Sequence, residues 1–249
     1  MSALIHFHLD QIQVDLDWRE SELALLRKQL VQAKGKSIET ALLRANLAMI
    51  YAHYEGFCKF ALGVYIDALD QIGYKRGQLK WAIAAGTLGN FHEDLKKIPD
   101  PGEFFTKIFL ELESKLDEKA SFARPDHVAN LWPDTLLKWL TRLGLDRNEV
   151  EAHRAKLERL VNNRNQIAHG KKLVVKDLTE LDTYADAASL AMHGVFLGVA
   201  NALEKRLYAR DAQELAHALS GRPSRPKGQK PWGFHWGWTD QGSSQLHEI

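Results

Sequence analysis

Apolar residues recur at three- and four-residue spacing along most of this chain, and alternating runs rich in β-branched residues are nearly absent. Helix is therefore expected throughout. Leu9, Ile12, Leu16, Leu23, Leu26 and Leu30 mark a first helix over about 9–33, ended by Gly35. Ser37 is expected to open a second over 38–72, so apolar for its length that it reads as the central helix of a bundle. Gly73, Gly77, Gly86 and Gly89 punctuate a looser region, after which Pro101 is placed to start a helix through Phe104, Phe105, Ile108 and Leu112. A short helix is predicted from Pro133 to Gly144, and a single longer one from about Asn148 to His169. Gly170 stands as its C-terminal cap, and Lys171 and Lys172 suit the negative end of its dipole. The last long helix is expected from Asp177 or Thr179 to Leu219, with Leu181, Ala185, Ala188, Met192, Val195, Val199 and Leu203 on one face. No proline interrupts the chain before Ile98, and no solenoid-type repeat is seen.

Composition sharpens this picture in three ways. With 249 residues, 45% of them apolar and 26% charged, the chain can bury a core without metal or disulfide support. Two parts are expected, a helical domain over 1–219 and a basic, aromatic tail over 220–249. A formal charge of +1 gives no whole-molecule field toward nucleic acid or anionic membrane, so such a partner must be held by a local patch. The one cysteine, Cys58, excludes an intrachain disulfide, and no apolar run has the length of a membrane span. The expectation is a cytoplasmic protein with no membrane partner.

One position breaks the amphipathic pattern. At about 100° per residue, Leu157, Leu160, Val161, Ile167 and Ala168 all lie within about 60° of Arg164, which places a guanidinium in the apolar stripe. It then needs a carboxylate partner or an opening onto a cleft. On the second helix Arg44, Glu55 and Lys59 share a polar stripe with Tyr51 beside them. That stripe is either the solvated face of the helix or the place where Glu55 meets Arg164. Arg164 and His169 are five residues apart, about 140° around the helix, so they do not face each other within one helix. Two copies about a two-fold axis would bring both pairs toward one cleft.

The string Arg164-Asn165-Gln166-Ile167-Ala168-His169, ending a helix late in an all-helical chain, resembles the signature of the HEPN superfamily. Together with Tyr51-Ala52-His53-Tyr54-Glu55-Gly56-Phe57-Cys58-Lys59, it is similar to stand-alone bacterial HEPN-like nucleases of toxin–antitoxin, abortive-infection and restriction loci. The resemblance covers about residues 5 to 215. It implies an up-and-down helical bundle with additional helices, a homodimer, and a metal-independent endoribonuclease without a cofactor. Its RNA product would end in a 2′,3′-cyclic phosphate, and an antitoxin or defence-system protein is an implied partner. Carried over, Arg164 would hold the scissile phosphate and His169 would serve as general base or acid. Asn165 would hold phosphate or water, and Glu55 would orient Arg164, with Lys59 and Tyr51 supporting it. In one branch of the family a tyrosine stands two residues after the histidine. Lys171 occupies that place here, so control through such a tyrosine is not expected. The other reading is a catalytically silent HEPN module that binds nucleotides or a partner protein.

Charge is distributed in a way that suits RNA. From Arg142 to Lys176 nine Lys and Arg residues oppose four acids, a net of +5 in 35 residues. A solvated basic helix face is the plainer account of the same residues. The 11 histidines show no metal-binding spacing, and Trp18, Trp81, Trp132 and Trp139 are expected to pack between helices. In the tail Arg222, Arg225, Lys227 and Lys230 precede Trp232, Phe234, Trp236 and Trp238. That order suits either single-stranded RNA or docking onto protein.

Overall fold

A computed structural model of the protein describes residues 2–210, and among them there are helices and no strand. The helices are α1 (Ser2–Gln32), α2 (Glu39–Ile72), α3 (Trp81–Gly86), α4 (Gly89–Lys96), α5 (Pro101–Asp117), α6 (Pro133–Arg142), α7 (Asn148–Ala152), α8 (Arg154–Ala168) and α9 (Leu178–Glu204). The all-α bundle expected from the spacing is what forms. α2 is its central helix, as predicted, packing against α1, α8 and α9. Leu47, Tyr51, Tyr54, Phe57, Cys58, Ala61, Leu62, Tyr65 and Ile66 lie at or near zero exposure along it. So much apolar surface removed from water along one helix supplies the main stabilisation of the bundle. Of the described helices α9 alone has the length and apolar content of a membrane span. Half of that stretch is buried inside the bundle, which accounts for its apolarity.

Helix ends follow local chemistry. Asp100 caps α5 by accepting from the Glu103 N–H, with Pro101 in the first turn, and Asp177 caps α9 by accepting from Glu180. Ser37 does not cap α2: that position falls to Ile38, with no side-chain hydrogen bond. The single helix expected from Asn148 to His169 is two, because the backbone at His153 leaves the helical region (φ −105°, ψ 8°). The last helix stops at Glu204 rather than Leu219. Turn residues follow and Arg206 has positive φ, while positions 211–219 and the tail tryptophans lie outside the described residues, as does the domain boundary placed at 219. Of the tryptophans expected between helices, Trp139 is buried and Trp132 half-buried. Trp18 and Trp81 are exposed, each with an arginine guanidinium over its ring, Arg19 and Arg210 respectively.

The α1–α2 contact holds a buried polar cluster. His53 is 2% exposed, with Nε2 2.7 Å from Glu22 Oε2, Nδ1 3.5 Å from Arg19 Nη1, and the Trp18 ring edge-on at 5.2 Å. Asp15 binds Arg19 from the next turn. Gly56 leaves room for the Arg19 guanidinium, since a Cβ on it would lie 2.7 Å from Nη1 and the arginine would have to shift. Burial lowers the pKa of His53 from 6.5, with Glu22 working in the opposite direction. The unfolded chain therefore takes up this proton first. Its contribution to stability is complete above about pH 6.5 and falls as pH drops toward the depressed native value. Urea unfolding midpoints across that range are expected to decline in the wild type and to decline less in His53→Gln.

Candidate active site

α8 carries Arg164 into the seam with α2 because Leu157, Leu160 and Val161, all at 0% exposure, fix the face that it presents to the core. Two residues at the end of the predicted stripe behave differently: Ile167 is only partly buried and Ala168 is exposed, so the stripe fades over the last turn. Arg164 sits at its edge, 27% exposed.

The guanidinium has partners on three sides. Nη2 donates to Glu55 Oε2 at 3.2 Å, and Nη1 donates to Asn130 Oδ1 at 2.8 Å and Asn165 Oδ1 at 3.0 Å. Its carbon lies 3.9 Å from the centre of the Tyr51 ring. Of the two accounts of the polar stripe on α2, the contact with Arg164 is therefore the one realised. Tyr51 is fully buried, and Glu55 and Lys59 side chains are 14% and 18% exposed. Arg44, the fourth member of the stripe, reaches the Lys171 carbonyl at 3.1 Å instead.

Charge at the centre does not cancel. Lys59 Nζ is 2.7 Å from Glu55 Oε1 while Arg164 takes Oε2, so one carboxylate serves two cations and the cluster keeps a formal +1. Lys59 also donates to the Val128 carbonyl at 2.6 Å. Arg164 has five N–H donors. Three are used, and Nε–H and one Nη2 hydrogen have no partner among the described residues. A half-exposed, net-positive fork with two donors to spare can take an anion. Burial, with Glu55 beside it, pushes the Tyr51 hydroxyl well above its usual 10. It stays protonated and accepts the Leu131 N–H at 3.0 Å.

His169 lies elsewhere on the helix. It is the C-cap of α8, exposed, with no side-chain partner among the described residues. The chain turns immediately after it. Gly170 (φ 71°) donates to the Ile167 carbonyl and Lys171 to that of Gln166, a left-handed closure that only glycine makes without strain. Gly170 thus ends the helix as its position predicted. The described contacts join Arg164, Asn165, Glu55, Lys59 and Tyr51 in one cluster and leave His169 outside it.

Asn130 and the Val128 carbonyl were not legible from the sequence. Both belong to the segment between α5 and α6, and Asn130 holds a left-handed backbone (φ 53°), a conformation that asparagine tolerates. Around the cluster, Lys156, Arg159, Lys171 and Lys172 are exposed and without an ion pair among the described residues. Arg147 and Arg154 are paired with Glu151 and with Asp134 and Glu158. The basic stretch is thus partly neutralised near α7 and left open toward the end of α8. Among the described residues no three His, Cys, Asp or Glu side chains gather in a way that would hold a metal ion. Cys58 is fully buried and its thiol pKa is pushed far up, so it does not act as a nucleophile.

No curated protein matches the chain, and neither does any solved structure. A family model does: that of the MAE_28990-like HEPN domains matches residues 8–208, which includes both helices of the cluster and the α8 terminus. Domains of the HEPN superfamily are often ribonucleases or nucleotide-binding modules, and they commonly bind RNA and dimerise. With the match spanning almost all of the described helices, this chain belongs to the MAE_28990-like HEPN family.

Proposed function

We propose that this protein is a metal-independent endoribonuclease of the cytoplasm, acting as a homodimer in a toxin or anti-phage role. The observation that carries the reading is the state of Arg164: oriented by Glu55, Asn130 and Asn165, stacked on Tyr51, yet partly exposed, with spare donors in a net-positive cluster. This is a preorganised phosphate fork, whose value lies in meeting charge that develops in the transition state.

In the reaction, the 2′-oxygen of one ribose attacks the adjacent phosphorus. A P–O2′ bond forms, the P–O5′ bond breaks, and the products are a 2′,3′-cyclic phosphate and a 5′-hydroxyl. His169 is suited to one of the two proton transfers, taking the 2′ proton or giving one to the 5′-oxygen. Arg164 and Asn165 bind the non-bridging oxygens, where negative charge grows. Arg164 faces α2 while His169 projects from another side of α8, so one chain does not present both to the same phosphate. A second copy supplies the missing group, as in sites shared across a two-fold axis.

A second reading has its own support. The three acceptors around Arg164 could serve structure alone, and a silent module that binds nucleotides or an antitoxin-like partner would keep them. Purified full-length protein incubated with RNA in excess EDTA separates the two. The nuclease yields fragments ending in 2′,3′-cyclic phosphate and leaves 2′-deoxy substrates intact. Intact RNA in that assay, or a strict monomer at micromolar concentration, defeats the shared-site nuclease and leaves the binding module.

A further inference from the structure

Beside the arginine cluster lies a pocket that the proposed chemistry does not use. It has a volume of about 340 Å³ and is lined by Trp132, Pro133, Asp134, Thr135, Glu158 and Asn162. That volume is within the roughly 300–1,000 Å³ of small-molecule sites. Three consecutive residues tie it to the cluster: Asn130 accepts from Arg164, the Leu131 N–H donates to Tyr51, and Trp132 lines the pocket. α8 ties it again. At about 100° per residue, Glu158, Asn162, Asn165 and His169 fall within about 60° of one another on a single face. Two of these line the pocket, the third touches Arg164, and the fourth is the exposed histidine.

The lining chooses among occupants. Two carboxylates, Asp134 and Glu158, share the single cation Arg154, at 2.8 and 3.0 Å. Glu158 Oε2 has no partner among the described residues. A phosphate would be repelled here. A flat ring with an N–H donor at its edge would not be, because tryptophan and proline supply apolar surface and the free carboxylate oxygen accepts from an amino group. We propose that this pocket receives the base next to the phosphate that His169 of the same chain serves, with Arg164 supplied there by the second copy, and that it takes adenine or cytosine in preference to uracil. Adenine and cytosine present an exocyclic amino group to the carboxylate, whereas the edge donor of uracil, N3–H, is flanked by two carbonyl oxygens that would face the Glu158 lone pairs. The proposal rests on the ribonuclease reading. It adds to that reading the base which selects the cleavage position.

The test uses full-length protein and short fluorescent oligo(A), oligo(C) and oligo(U) with 2′-O-methyl groups, which block cleavage. Binding is followed by anisotropy. Wild type is expected to hold oligo(A) and oligo(C) about 10-fold tighter than oligo(U), in line with one good base contact. Glu158→Gln, at a half-exposed position, should bring that ratio close to one, since an amide offers both donor and acceptor. Trp132→Ala should weaken binding of all three by about 10-fold or more through lost stacking, and Arg164→Ala should weaken all three without changing the ratio. Equal affinity of wild type for the three oligomers, or an unchanged ratio in Glu158→Gln, overturns the base pocket and leaves the nuclease standing. Failure of every oligomer to bind overturns the RNA reading and the pocket with it.

Discussion

Arg164→Ala should lower the rate of RNA cleavage by about 100- to 1,000-fold, the usual consequence of removing one preorganised donor group from a transition state. Arg164→Lys should fail to restore it, because lysine keeps the charge and loses both the planar fork and the stack on Tyr51. His169→Ala should cost a comparable factor. Combining the two should cost little more than either alone, since groups acting on one step are not additive. The folded state should barely notice the loss of Arg164, because Glu55 keeps Lys59 as its counter-ion and is not left as an unpaired buried charge. Thermal unfolding measured beside the cleavage assay checks this. A large fall in melting temperature together with unchanged cleavage would mean that Arg164 is a structural residue.

Tyr51→Ala is the second substitution expected to have a large effect, and it acts on stability. The side chain has zero exposure, supports the Arg164 guanidinium on its ring face, and accepts the Leu131 N–H. Truncation leaves a cavity at the centre of α2 and an unsatisfied buried amide. A loss of about 3–5 kcal/mol is expected by analogy with other buried aromatic truncations. Tyr51→Phe keeps the ring and gives up only the acceptor, for about 1 kcal/mol. Urea unfolding of both variants measures the difference. Equal midpoints for Tyr51→Ala and wild type would show that the ring carries no packing.

The bundle was legible in the sequence because long apolar spacings report burial directly, as the match of α2, α5, α6 and α9 to their predicted starts shows. The break at His153 was hidden for the same reason. Val150 and Leu157 are both buried and seven residues apart, so the pattern runs through the interruption as if the helix were continuous. Arg164 was legible because a charge stood in an apolar stripe, and Glu55 because few charges on α2 were available to meet it. Asn130 and the Val128 carbonyl were not, since their contacts with Arg164 and Lys59 cross 34 and 69 positions of sequence from an irregular segment. Nothing in the local residues marks that kind of contact.

On the proposed ribonuclease reading, the division of Glu55 between two cations bears on turnover. When a phosphate draws Arg164 toward itself, the Arg164–Glu55 bond can lengthen while the carboxylate remains with Lys59, 2.7 Å away. When the product leaves, the fork returns to an oxygen that has kept its place. In such a cycle Glu55 keeps a cation beside it at every stage, so lengthening the Arg164–Glu55 pair does not leave a largely buried carboxylate alone.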